Sequence, residues 1–216
     1  MRSMSTTTAK RAVSQGIKYM MLHEFLERKL VRANYVYAQF FKTPIGTKVI
    51  IYAGMPGIII GRRGANIKAL AEILEKEFGL ENPQIDVIEV PQQDLNAKIM
   101  AYRIARAIAR GVKFRRAAMA ALNRIMAAGA RGAEIVISGK LTSQRHRTER
   151  FSRGYLPKSG EPGEELVDEA TVHVLLKLGM YGVKVRIMKP ARMPDLIEVK
   201  QAELLSAEEK RTTAGG

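Results

Sequence analysis

The sequence predicts an α+β protein built from two units in tandem. Residues 16–90 read as helix, strand, strand, short apolar turn, helix, strand. Residues 95–188 read as two helices followed by about four strands, which predicts a sandwich with the helices on one face of a sheet. Where the pattern changes, at Pro91–Asp94, the charge also changes from balanced to strongly basic. These observations divide the chain into a basic flexible arm (1–15), a first unit (16–93), a second unit (94–190) and a tail (191–216).

Each element follows from local pattern. The arm is rich in Ser and Thr and has no period. The first helix is expected from about Gly16 to Arg32, with Ile17, Met20, Met21, Phe25 and Leu30 inward and His23, Glu24, Glu27, Arg28 and Lys29 mostly outward. "NYVYAQFF" and "TKVIIYA" are strands by their β-branched and aromatic content, with "KTPIG" turning between them. In residues 65–78, Ile67, Leu70, Ile73, Leu74 and Phe78 share a helix face, and Gly79 ends the helix. "QIDVIEV" is a third strand. Asp94 is a candidate cap for a helix over 95–111 with Ala97, Ala101, Ile104, Ile108 and Val112 inward. A second helix is expected over 114–128, then the strand "AEIVISG", the basic strand candidate "KLTSQRHRTERF", and a loop. "TVHVLLKL" and "VKVRIM" alternate and would pair through "GMYG". The tail has room for one short helix near 200–210.

Charge narrows the function. The net charge is +15, and residues 94–150 carry thirteen Lys/Arg against three acids, while 35–93 and 151–216 are balanced. Concentrated positive potential selects polyanions, of which nucleic acid is the abundant one. Cysteine is absent, which excludes disulfides and thiolate chemistry and suits a reducing cytoplasm. No apolar run reaches membrane-spanning length, and the N-terminus lacks the apolar core of a signal peptide.

The stretch "PGIIIGRRGANIKAL" is the most specific feature. Gly61 and Gly64 permit a backbone that other residues resist, and a helix start offers unpaired N–H groups and partial positive charge to an anion. Arg62 and Arg63 put two fixed charges there, and Lys68 follows one turn on. The unit suits a chain of phosphates, with Ile58, Ile59, Ile60, Ile67 and Leu70 as an apolar floor for bases. In the second unit, Arg103, Arg106, Arg110 and Lys113 fall within about a quarter of one helix circumference, opposite its apolar face.

Ile-Gly-Arg-Arg-Gly-x-x-Ile-Lys-x-Leu, set between two helices and inside a three-stranded unit, resembles a KH domain, whose Gly-x-x-Gly loop clamps single-stranded backbone. A helix and strand placed before the core make it similar to the type II arrangement. The tract "FRRAAMAALNRIMAAGARGAEIVISGKL", with "RTE" at Arg147–Glu149 and "GVKVRI", resembles the second domain of the universal KH-containing protein family of the small ribosomal subunit, in its archaeal form. The resemblance spans roughly residues 16–190. It implies a cytoplasmic constituent of the small-subunit head, with rRNA, mRNA and neighbouring head proteins as partners. RNA contacts are expected at Gly61, Arg62, Arg63, Gly64, Lys68, Arg103, Arg106, Arg110, Lys113, Arg145 and Arg147, and the resemblance implies that Arg115 and Arg116 lie beside the mRNA entry path. Bacterial members carry a lysine three positions beyond the second arginine, where this chain has Met119.

Competing readings are an ATP-driven helicase and a stand-alone KH-type RNA chaperone or regulator. The sole Gly-Lys, Gly139-Lys140, is followed by Leu141, so no P-loop exists, and no Gly-x-Gly-x-x-Gly occurs. "HEFLE" has half of a zinc-protease helix and lacks the second histidine. No catalytic set, metal site, cofactor, small-molecule substrate or membrane partner is expected, and any unwinding would be passive. The chaperone shares the loop chemistry; the second basic unit favours a multi-site rRNA contact.

Overall fold

The strand Gly46–Ala53 alternates half-buried and buried residues along its whole length, so one face must be covered. In the computed structural model, which describes residues 8–190, that strand (β2) is the middle of a three-stranded sheet. It pairs antiparallel with β1 (Tyr35–Thr43) and parallel with β3 (Gln84–Glu89), in the order β1-β2-β3. Helices α1 (Thr8–Lys29) and α3 (Ala65–Phe78) cover it, with the short α2 (Pro56–Ile60) between β2 and α3. Leu22, Leu26, Tyr35, Val49, Ile51, Leu70 and Leu74 form the core. Full burial of each such side chain is worth about 1.5–3 kcal/mol.

The second unit holds α4 (Ala97–Ala109), α5 (Phe114–Ala127), β4 (Gly132–Gly139), β5 (Arg147–Gly154), the short α6 (Glu161–Glu165), β6 (Val167–Leu176) and β7 (Gly179–Met188). Its sheet is antiparallel in the order β5-β4-β7-β6. α4 packs on β6 and β7, and α5 on β4 and β5. Alanines at 97, 101, 105, 117, 118 and 121 are buried at this layer and let the helices lie close over Ile135, Ile137, Val183, Val185 and Ile187.

The sequence reading needs correction at several places. α1 starts at Thr8, so residues 8–15 belong to a helix rather than a flexible arm. Its inward face is Leu22 and Leu26, one turn apart, with Tyr19, Phe25 and Leu30 beside them; Ile17, Met20 and Met21 are exposed. Asp94 caps nothing. It sits in a 3₁₀ turn, and Asn96 is the cap, accepting from the Ile99 N–H at 3.1 Å, while Asp168 of β6 accepts from the Ala97 N–H at 3.0 Å. Residues 140–146 form bends rather than strand. The last hairpin turns at Lys177–Leu178, and "GMYG" opens β7. Residues 1–7 of the arm and the whole tail lie outside the described residues.

Candidate nucleic-acid interface

At the Gly-x-x-Gly loop the backbone leaves ordinary conformations three times in four residues. Gly61 has φ 70° and ψ −178°, a region that excludes side chains. Arg63 (φ 52°) and Gly64 (φ 75°) are left-handed. The Asn66 side chain closes the loop by donating to the Ile58 carbonyl at 3.0 Å. No side chain caps α3 and no acid lies in its first turn, so its positive end is uncompensated. Arg62, Arg63 and Lys68 are exposed and make no ion pair among the described residues. The expected apolar floor divides. Ile59 and Leu70 are buried and Ile67 packs against the core, so only Ile58 and Ile60 remain exposed. Ile58 lines a cleft of about 350 Å³ that also includes Lys29, Arg32, Asn66 and Ile73.

The helical stripe also divides. Arg103 is half-buried and paired with Asp94. Arg106 donates to the Asn34 side chain and to the Val31 carbonyl of the first unit. Arg110 and Lys113, at the end of α4 and the start of α5, are exposed and make no ion pair among the described residues. The same holds for Arg116, Arg124, Lys140 and Arg145. Around them, Arg147 opens β5 and is exposed. Arg115 is held by Glu149: its Nη2 lies 2.8 Å from Oε1 and its Nε 3.4 Å from Oε2. This hydrogen bond raises Arg115 above its ordinary value and lowers Glu149 below its own. The "FRR" and "RTE" tracts therefore meet through Arg115 and Glu149. Met119 is exposed on α5.

On the outer face of the second sheet, Arg150, Lys184 and Arg186 are engaged by Glu134 and Glu169. Glu134, 2% exposed, lies 2.9 Å from Arg150 Nε and 3.6 Å from Arg186 Nη1, as ion pairs without an aligned hydrogen bond. Glu169 pairs with Lys184 and with Arg186, which hold its carboxyl below the usual range. Among the described residues of this unit, Arg110, Lys113, Arg116, Arg124, Lys140 and Arg145 are thus unpaired at the helix ends and the 140–146 bend, while Lys158, Lys177 and Lys189 are exposed without an ion pair elsewhere.

Sequence reasoning missed the joint between the units. Lys98 Nζ reaches Glu27 at 3.2 Å and the Val36 carbonyl at 3.2 Å, and stands 5.1 Å from the Tyr35 ring centre. Tyr102 donates to Glu27 at 3.1 Å, and Gln93 donates to the Gly54 carbonyl at 2.8 Å. Burial, reinforced by Glu27, raises Tyr35 and Tyr102 well above the usual tyrosine range. The only available signal was the polar set Lys98, Tyr102 and Arg106 on one side of α4, which reads from sequence as a solvated or RNA-facing surface. Among the described residues no cluster of His, Cys, Asp or Glu could hold a metal, and no helix is long and apolar enough to cross a membrane.

Residues 21–95 match the family described as KH domain, and residues 104–187 match that described as ribosomal protein S3, C-terminal domain. Small ribosomal subunit protein uS3 of Thermofilum pendens is 81% identical over 195 residues, covering 90% of this chain and 96% of that one. The chain belongs to the uS3 family of small ribosomal subunit proteins. The uS3 proteins of Methanocaldococcus jannaschii (47% identical, 88% of this chain and 91% of that one) and Sulfolobus acidocaldarius (50% identical, 84% and 79%) are similar over nearly the same span. As an archaeal-type uS3, it is a structural, RNA-binding constituent of the small subunit and not an enzyme. The uS3 assignment also accounts for the order of the two units, KH first and the helix-backed antiparallel sheet second.

Proposed function

We propose that this chain grips small-subunit rRNA at two places, the Gly61–Gly64 loop and the cations gathered at the α4–α5 turn, within the subunit head in the cytoplasm. Arg115 and Arg116 border the path of incoming mRNA, and neighbouring head proteins complete the contact. The observation that carries the reading is the sorting of cations. Those on the outer sheet face are paired with Glu134 and Glu169, whereas Arg62, Arg63, Arg110, Lys113, Arg116 and Arg145 are exposed without an ion pair among the described residues. Unpaired arginines beside an uncapped helix start are suited to phosphate. With no nucleotide-hydrolysing motif, the entry-side cations hold single strands while work is supplied elsewhere in the ribosome.

The test separates the two roles. An Arg115→Ala/Arg116→Ala chain should enter small subunits normally, measured by sedimentation, and should slow translation through a stable mRNA hairpin. A chemical footprint of the parent on small-subunit rRNA should survive in this variant. Loss of assembly in the variant would instead place the pair on rRNA.

A further inference from the structure

Beside the α4–α5 turn lies a cleft of about 510 Å³. Its apolar lining comes from Val112 and Phe114 on the turn, Leu141 after β4, and Leu176 at the end of β6. Val112 is 39% exposed, and the other three are partly buried, so apolar surface stands open here. Two of the lining residues are cations, Lys113 and Arg115. The shape is braced from below: the Tyr181 hydroxyl donates to the Lys140 carbonyl and fixes the end of β4 against β7.

The two cations differ in what they can offer. Arg115 is already satisfied by Glu149 through two of its nitrogens, and its guanidinium carbon stands 5.3 Å from the centre of the Phe114 ring. Its charge is engaged by Glu149, with the side chain still 61% exposed. A guanidinium held this way is a planar surface more than a phosphate ligand. Lys113 also lines the cleft, Arg116 follows Arg115 on α5 outside that lining, and neither makes an ion pair among the described residues. One planar apolar guest, with an anion attached, fits this sorting of an apolar floor, a pinned planar cation and two unengaged cations.

We propose that this cleft takes a single unpaired RNA base, stacked against Phe114 and Arg115, with the adjoining phosphates on Lys113 and Arg116. Glu149 is then a positioning residue: it holds Arg115 as a wall of the pocket and keeps it out of competition for phosphate. This rests on the reading that the basic second unit binds RNA, and it adds a base contact to what would otherwise be charge alone.

The test uses the full chain and two oligouridines of equal length, one intact and one with abasic positions, so that phosphate number is constant. Stacking of a base on aromatic surface predicts that Phe114→Leu, which keeps the volume and removes the aromatic face, weakens the intact strand by about tenfold. The same variant should leave the abasic strand and the salt dependence of both unchanged. Glu149→Gln should also narrow the gap between intact and abasic strands, and should steepen the salt dependence of both by up to about 0.7 in log–log slope as Arg115 is released to phosphate. A 4-thiouridine strand should crosslink within residues 112–115 or 141–142. Equal effects of Phe114→Leu on both strands, or crosslinks confined elsewhere, would overturn the pocket and leave the cleft to a protein neighbour. If Lys113→Ala/Arg116→Ala leaves the salt slope of the parent unchanged, it is the RNA-binding reading of this unit that fails.

Discussion

The Asn66 side chain lies across Gly61 so closely that a Cβ at Gly61 would stand 2.6 Å from its amide carbon. That contact, together with φ 70° and ψ −178°, makes residue 61 a glycine for two separate reasons. Gly61→Ala should therefore cost about 1–3 kcal/mol from the backbone alone, and more while Asn66 stays in place. Asn66→Ala removes one exposed hydrogen bond, to Ile58, and should cost under about 1 kcal/mol. In urea denaturation the double variant should be less destabilised than the sum, because the smaller side chain relieves the clash and leaves only the backbone term. Full additivity would show that the loop relaxes away from Asn66. At Gly64 a Cβ meets nothing within 4 Å, so Gly64→Ala should show the backbone cost without the clash.

The stripe on α4 splits by role. Arg106→Ala strips the partner from Asn34, which is 2% exposed and itself left-handed at φ 56°. A buried polar group left unsatisfied costs about 1–3 kcal/mol, so this variant should lower the unfolding midpoint and barely alter the salt dependence of RNA binding. Arg103→Ala loses a half-exposed pair with Asp94 and should cost at most about 1 kcal/mol. Arg110→Ala and Lys113→Ala should do the reverse: unchanged stability, and a salt slope for single-stranded RNA flatter by about 0.7 each. A slope unchanged in both would remove the α4–α5 turn from the interface.

The type and order of the elements were legible because apolar period and turn residues are local properties. β1, β2, α3 and α5 follow directly from them. Failures came where tertiary contact decided between equal local choices. On α1, Ile17, Met20 and Met21 are as apolar as Leu22 and Leu26, and only the position of the sheet selects the second set. Asp94 and Asn96 are both good caps; Asp94 is drawn to Arg103, and Asn96 is left to meet the Ile99 N–H. Of the candidate interface, the glycine–arginine loop stands out in the sequence because its spacing is local. Asn66, Glu149 and Glu27 were not, since each acts on a residue made near by folding. The four-residue stripe looked uniform because a helical projection counts charges and does not see Asn34 or Asp94 arriving from other elements.

The joint between the units carries a pH dependence. His23 Nδ1 lies 2.7 Å from the Tyr35 hydroxyl and its ring meets Phe40 edge-on. Burial first, and Lys98 second, lower its pKa from 6.5, with Glu27 opposing. Because the folded value lies below the unfolded one, the unfolded chain binds the proton first. Stability is therefore full above about pH 6.5 and declines as pH falls from there through the folded value. Unfolding midpoints measured between pH 7.5 and 5 should drop in the parent and flatten in His23→Gln. Glu27→Ala should act in the same place and deepen the fall with pH, because it removes the charge that opposes the lowering of His23. With Tyr102 and Lys98 deprived of their shared acceptor, the two units should tumble more independently in NMR relaxation. Unchanged relative tumbling would mean that Arg106 and Gln93 hold the joint without Glu27.

Arg62 and Arg63 give the most direct test of the proposed RNA contact at the loop. Both are exposed, and Arg63 holds a left-handed backbone with no partner among the described residues that explains it. Arg62→Asp/Arg63→Asp changes the local charge by four units beside a helix start that carries no acid. The fold should survive, since neither side chain is buried and both glycines remain. Two acids at the start of α3 are favourable to the helix itself, so the urea midpoint should hold or rise slightly. Binding of single-stranded RNA should fall by well over tenfold at fixed salt, a cost above about 1.4 kcal/mol. Opposite signs for helix stability and RNA affinity are the signature of a site kept positive for its ligand at the expense of its own helix. A double-Asp chain that is both folded and as tight as the parent would make the loop a plain corner and place the whole RNA contact at the α4–α5 turn.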